Sequence, residues 1–165
     1  LAQAGRAVEA QAEAAAIDGL ISAGGFDTLE AQYLPARDVL TIAKLMVEAR
    51  IAQQAGDWDT AESLLETAAE LEATIPYMEP VYWPTPVRRT LGAVLLQAGN
   101  PSRAVEAFKA ALAQAPRDGW ALWGLMQAEE ALGQETGYAD GYLKARAAFE
   151  QAWLGDKAWL DLSHL

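Results

Sequence analysis

Residues 85–116 read TPVRRTLGAVLLQAGNPSRAVEAFKAALAQAP. Thr85 precedes Pro86, a capping hydroxyl followed by the one residue that loses nothing at a first helical position. Val87, Leu91, Val94, Leu95 and Ala98 then recur at helical spacing and predict one apolar stripe. Gly99 stops this helix, because glycine takes the left-handed backbone that closes a C-terminus. Asn100 is expected to cap a second helix, with Pro101 at its first position. Along that helix Ala104, Phe108, Ala111 and Leu112 share a face. Gly92, Ala104 and Ala111 are small enough for two helix backbones to approach closely. Phe108 is expected to fill the wedge between them, and Pro116 ends the unit.

This pattern resembles the tetratricopeptide repeat, a helix–turn–helix unit of about 34 residues. Leu91-Gly92 stands for the repeat's leucine–glycine pair and Gly99 for its turn glycine. Ala104, Phe108, Ala111 and Pro116 stand for the small, aromatic, small and proline positions of its second helix. The resemblance implies an all-α fold, a right-handed solenoid of about three helical hairpins with a C-terminal capping segment. The chain resembles the C-terminal repeat regions of uncharacterised bacterial proteins of this kind.

Composition agrees with that class. The 165 residues are 52% hydrophobic and 21% charged, enough to bury a core in one domain. Much of the apolar content is alanine, which favours closely packed helices over a sheet. With no cysteine, disulfides and thiolate metal or redox sites are excluded. No apolar run approaches the ~18–20 residues of a membrane span. The chain opens on Leu1, which suggests a processed product or a piece of a longer protein. No compartment is named by the residues, and a soluble, cytoplasmic setting is the default expectation. The net charge of −11 lies almost wholly in residues 1–83, which hold 14 acidic and 4 basic side chains. That balance argues against nucleic acid and anionic membrane as partners, whose phosphates need basic neutralisation.

Taken in order, residues 1–23 predict one alanine-rich helix with Val8, Ala12, Ala15, Ala16, Ile17 and Leu20 or Ile21 along its stripe. Gly24-Gly25 ends it. The first repeat is expected over 36–73. Val39, Leu40, Ala43, Val47 and Ile51 form its apolar side, Gly56 its turn, and Ala61, Leu65 and Ala68 match Ala104, Phe108 and Ala111. Residues 74–84 are an inserted connection in which Tyr77, Met78, Tyr82 and Trp83 stand among prolines. The second repeat is 85–116 and the third 118–154, with Asp118 as N-cap. Gly133 falls two residues late for a turn, and ETGYADGY is expected to lengthen it. The tail, 155–165, would cover the open face of the last repeat.

Catalytic chemistry finds little to work with. The one histidine, His164, sits near the end beside Ser163 and Asp161, and a second metal-ligating histidine or cysteine does not exist. No phosphate-binding glycine loop, nucleophile elbow or zinc-protease motif is present. The reading is a non-catalytic scaffold that needs no cofactor or metal. In the family, first helices line a concave face and bind protein or peptide. By resemblance this implies Met46, Arg50, Gln53 and Gln54 in the first pair, Arg89, Ala93, Leu96 and Gln97 in the second, and Ala121, Leu125, Ala128 and Glu129 in the third. Two alternatives stay open. One is a small molecule or short peptide held in an aromatic cleft near Tyr82, Trp83, Trp120 and Trp123. The other is a homodimer made through the exposed N-terminal helix.

Overall fold

The computed structural model describes residues 2–165. Among them the chain is helical, without a strand. The helices are α1 (Ala7–Ala23), α2 (Asp27–Glu30), α3 (Ala36–Ala55), α4 (Trp58–Thr74), α5 (Val87–Gln97), α6 (Pro101–Gln114), α7 (Gly119–Thr136) and α8 (Asp140–Ala152). Short 3-10 turns cover Ala2–Ala4, Lys157–Trp159 and Leu162–His164. The expected class is therefore present: all-α, built from helices packed in adjacent pairs. The chain divides into two compact units, Leu1–Val87 and Arg88–Leu165.

In the first unit α3 packs on both α1 and α4. Gly56, at a φ of 73°, turns α3 into α4. Its N–H bonds the Gln53 carbonyl at 3.1 Å, and the Asp57 N–H reaches the Ala52 carbonyl at 2.9 Å. This paired closure satisfies carbonyls that a helix end otherwise strands. The Asp57 side chain then accepts from the Thr60 N–H and starts α4. Ala61, Leu65 and Ala68 are fully buried, as the repeat pattern requires. Two faces differ from expectation. On α3 the buried side chains are Ile42, Ala49, Ala52 and Gln53, while Val39, Leu40, Ala43, Val47 and Ile51 are half-buried. On α1 the buried stripe is Ala10 and Ala14, and Val8 is 85% exposed. The cause is compositional: a helix of alanine on every side has no single apolar stripe for its sequence to announce.

In the second unit Gly99, at a φ of 80°, joins α5 to α6 with the same paired closure, Gly99 to Leu96 and Asn100 to Leu95. Pro101 opens α6, although the Asn100 side chain makes no cap bond, so the proline's fixed φ does the starting. Phe108 is fully buried. A methyl group built on Gly92 of α5 would lie 2.9 Å from its ring, and one built on Gly124 of α7 would overlap it. One aromatic ring thus wedges three helices, and only glycine gives it room on both sides.

The third hairpin departs from expectation. α7 runs through Gly133 to Thr136, and Gly137 (φ 80°) is its left-handed cap, so no long turn follows. Gly133 is small for another reason: a Cβ there would lie 2.7 Å from the Tyr138 carbonyl oxygen. The tail divides its apolar side chains between solvent and core. Leu154 is 98% exposed and Trp159 66%, whereas Leu165 is buried at 1%.

These contacts set opposite outcomes for two glycines. Gly124→Ala gains helix propensity but overlaps Phe108, and should lower the thermal midpoint with a net cost of about 1–3 kcal/mol. Gly19→Ala lies within α1 with nothing within 4 Å of its Cβ. It should stabilise by about 0.5–1 kcal/mol, read by helical circular dichroism on heating.

Candidate functional site

The second unit gathers its polar and aromatic side chains where α5, α7 and the tail meet. Asp118 stands at the start of α7 and divides its two oxygens. Oδ1 accepts the backbone N–H groups of Trp120 (3.0 Å) and Ala121 (3.3 Å), which the first turn of a helix leaves unpaired. Oδ2 accepts from Arg89 of α5 at 3.0 Å, with side-chain exposures of only 10% and 15%. Arg89 Nε is buried without a partner, so the guanidinium is held by this one carboxylate rather than by a bidentate fork.

Aromatic rings lie beside that pair. Trp120 meets Trp153 edge-on with centroids 5.0 Å apart and meets His164 at 6.4 Å. Trp153 also packs on Phe149 at 5.7 Å and closes over Gly119, where a Cβ would lie 2.9 Å from the indole. Lys157 stands over the Phe149 ring. At the far end of the tail Thr90 of α5, itself fully buried, donates its hydroxyl hydrogen to the Leu165 carbonyl at 2.6 Å. The Leu165 side chain rests against Gly124, 2.9 Å from where a Cβ would stand. The Asp161 carboxyl is held below the usual aspartate range by the Ser163 hydroxyl and then by the Ser163 N–H. A depressed carboxyl stabilises its turn above the ordinary aspartate pKa and loses that contribution as acid protonates it. This turn is mostly exposed, so the contribution is small.

The residues singled out by sequence fall into several environments. In the first unit Arg50 is half-buried and donates to Gln53 Oε1 at 2.8 Å, Gln53 is buried, Met46 is half-buried and Gln54 is exposed. In the second, Arg89 is committed to Asp118. Ala93, Leu125, Ala121 and Ala128 are buried, which removes them from an open surface. Leu96, Gln97 and Glu129 are half-buried, and Glu129 faces Lys109 at 3.4 Å. Tyr82 donates its hydroxyl hydrogen to the Tyr33 carbonyl at 2.8 Å, and Trp83 is half-buried with its indole nitrogen unpartnered. Trp120 is engaged by the tail and Trp123 is half-buried. Sequence reasoning missed Thr90 and Leu165. The available signal was a hydroxyl residue set among the apolar positions of α5. Among the described residues no group of three His, Asp or Glu side chains is placed to hold a metal ion.

Residues 86–128, from just before α5 to about the middle of α7, match the family model described as Tetratricopeptide repeat. This segment is similar to a tetratricopeptide repeat. The matched segment contains Gly92, Phe108 and Gly124, so the family match and the wedge coincide. Neither curated proteins nor solved structures gave a match. Tetratricopeptide repeats generally mediate protein–protein interaction. No helix among the described residues is long and apolar enough to cross a membrane.

Asp118 can be dissected by two substitutions. Asp118→Ala removes the cap and strands Arg89 in a poorly hydrated place, for an expected loss of about 1–3 kcal/mol in denaturant unfolding. Asp118→Asn keeps a capping oxygen and should lose less. Equal losses from both would mean that the ion pair alone matters.

Proposed function

We propose that this tetratricopeptide-repeat chain is a non-catalytic scaffold that binds a protein or an extended peptide through the first helices of its hairpins. The observation that carries this is the Gly92–Phe108–Gly124 wedge, which brings α5 and α7 against one ring of α6. On these helices Leu96, Gln97 and Glu129 remain partly accessible, as Met46, Arg50 and Gln54 do on α3. They combine apolar area with amide and charged groups, a mixture suited to a peptide backbone and its side chains. The wedge and the Arg89–Asp118 pair hold the helices rigid beforehand, which lowers the ordering cost of binding.

A second reading has an observation of its own. Val8 is 85% exposed and Leu20 57%, and Ala7, Val8, Gln11, Ala12 and Ala15 line a shallow groove along α1. An apolar helix face of this kind supports a homodimer, opposed by the charge concentrated in residues 1–83.

Affinity capture with the parent chain and with a Leu96→Glu, Gln97→Ala variant of unchanged helicity tests the scaffold. The variant is expected to retain at most a tenth of the captured partner. Equal capture by both would remove the first-helix face from consideration. Sedimentation addresses the dimer: Val8→Glu should shift a dimeric parent to monomer and leave a monomeric one unchanged.

A further inference from the structure

The end of the tail lies against α5 and α7, two of the helices that carry the proposed surface. Leu165 is the tail's most buried side chain, seated against Gly124 of α7, and its carbonyl takes the hydroxyl hydrogen of Thr90 on α5. His164 lies edge-on to Trp120, one turn along α7 from Gly124. An aliphatic side chain, a main-chain carbonyl and a flat ring therefore meet a glycine floor, a buried hydroxyl and an indole. These are the contacts by which a groove reads an extended peptide.

The tail is also poorly built as permanent core. It has no helix of more than three residues after Ala152. Several of its hydrogen bonds are internal: Asp156 with the Ala158 N–H, Asp161 with the Ser163 N–H, and His164 Nδ1 with the Trp159 carbonyl. Leu154 and Trp159 stay largely exposed along its course. A segment of short turns that leaves large apolar side chains in solvent and closes part of its bonding on itself opens below the cost of global unfolding.

We propose that residues 160–165 are a releasable strap, a ligand mimic held in cis on α5 and α7. The seat they vacate accepts a partner's extended segment of like chemistry, an aliphatic residue whose carbonyl bonds Thr90. This rests on the scaffold reading and adds the regulation of its surface. A tethered strap acts at an effective concentration of about millimolar, so it excludes weak competitors and yields only to a good match.

The test uses the full chain and a dye-labelled, C-terminally amidated peptide with the sequence of residues 157–165 as probe. Leu165→Asp should release the strap, and the probe should then bind by fluorescence anisotropy at least ten-fold more tightly than to the parent. Adding Thr90→Val, which keeps shape and removes the hydroxyl, should weaken that binding several-fold. Equal binding by parent and Leu165→Asp, or no effect of Thr90→Val, overturns the proposal. Hydrogen exchange on the parent guards against a variant that misfolds. Amides 160–165 should exchange at least ten-fold faster than those of α5 and α7, and exchange at the same rate would make the tail core and overturn the strap. A parent dimer joined by exchanged tails would assign the seat to a second copy and would also overturn it. No external partner enters these measurements, so their failure leaves the scaffold reading intact, and failure of the capture experiment leaves the strap intact.

Discussion

The second unit depends on a single steric fit. Phe108 is a large ring placed where α5, α6 and α7 converge, and it is accommodated because positions 92 and 124 carry no side chain. Remove the ring and a cavity opens at the junction of three helices; add a methyl group opposite it and the helices must part. Interiors are packed like crystals and adjust little, so this contact fixes the separation of α5 and α7 and everything that is spaced by it. The distance between Arg89 and Asp118 is one such dependent quantity, and the depth of the seat under Leu165 is another.

Much of this was legible in sequence because the decisive residues are ones whose chemistry allows few alternatives. Glycine, proline and a lone phenylalanine at fixed offsets leave little freedom, and 85–116 folds as its spacing says. Asp118 as an N-cap was equally readable, since a short carboxylate before a helix has one strong local use. The faces of α1 and α3 were not readable. Alanine contributes similar burial on any side, so the choice of Ala10 and Ala14 over Ala12 and Ala15 is made by tertiary neighbours. The end of α7 was misjudged because Gly133 was taken as punctuation, whereas it is close packing against Tyr138 that calls for glycine there.

The candidate surface was less legible than the fold, for a related reason. Family offsets locate which residues lie on first helices, but not which of them are consumed by internal bonds. Arg89 reads as an accessible cation until Asp118, 29 residues later, is found beside it. Thr90 reads as an unremarkable hydroxyl until Leu165 arrives. Pairings across such distances leave no periodic trace in a single sequence, and they decide how much of a binding face is open.

The separation of Thr90 from Leu165, 75 positions along the chain, also orders the assembly of the molecule in time. Each hairpin joins helices that are neighbours in sequence, so its loops are short and close quickly. The bond that seats Leu165 must instead close a long loop, and its site does not exist until α5 and α7 have been set apart by the phenylalanine ring. The seating of Leu165 thus follows the packing of α5 and α7. A growing chain would present the bare seat to other proteins before its own residues could reach it.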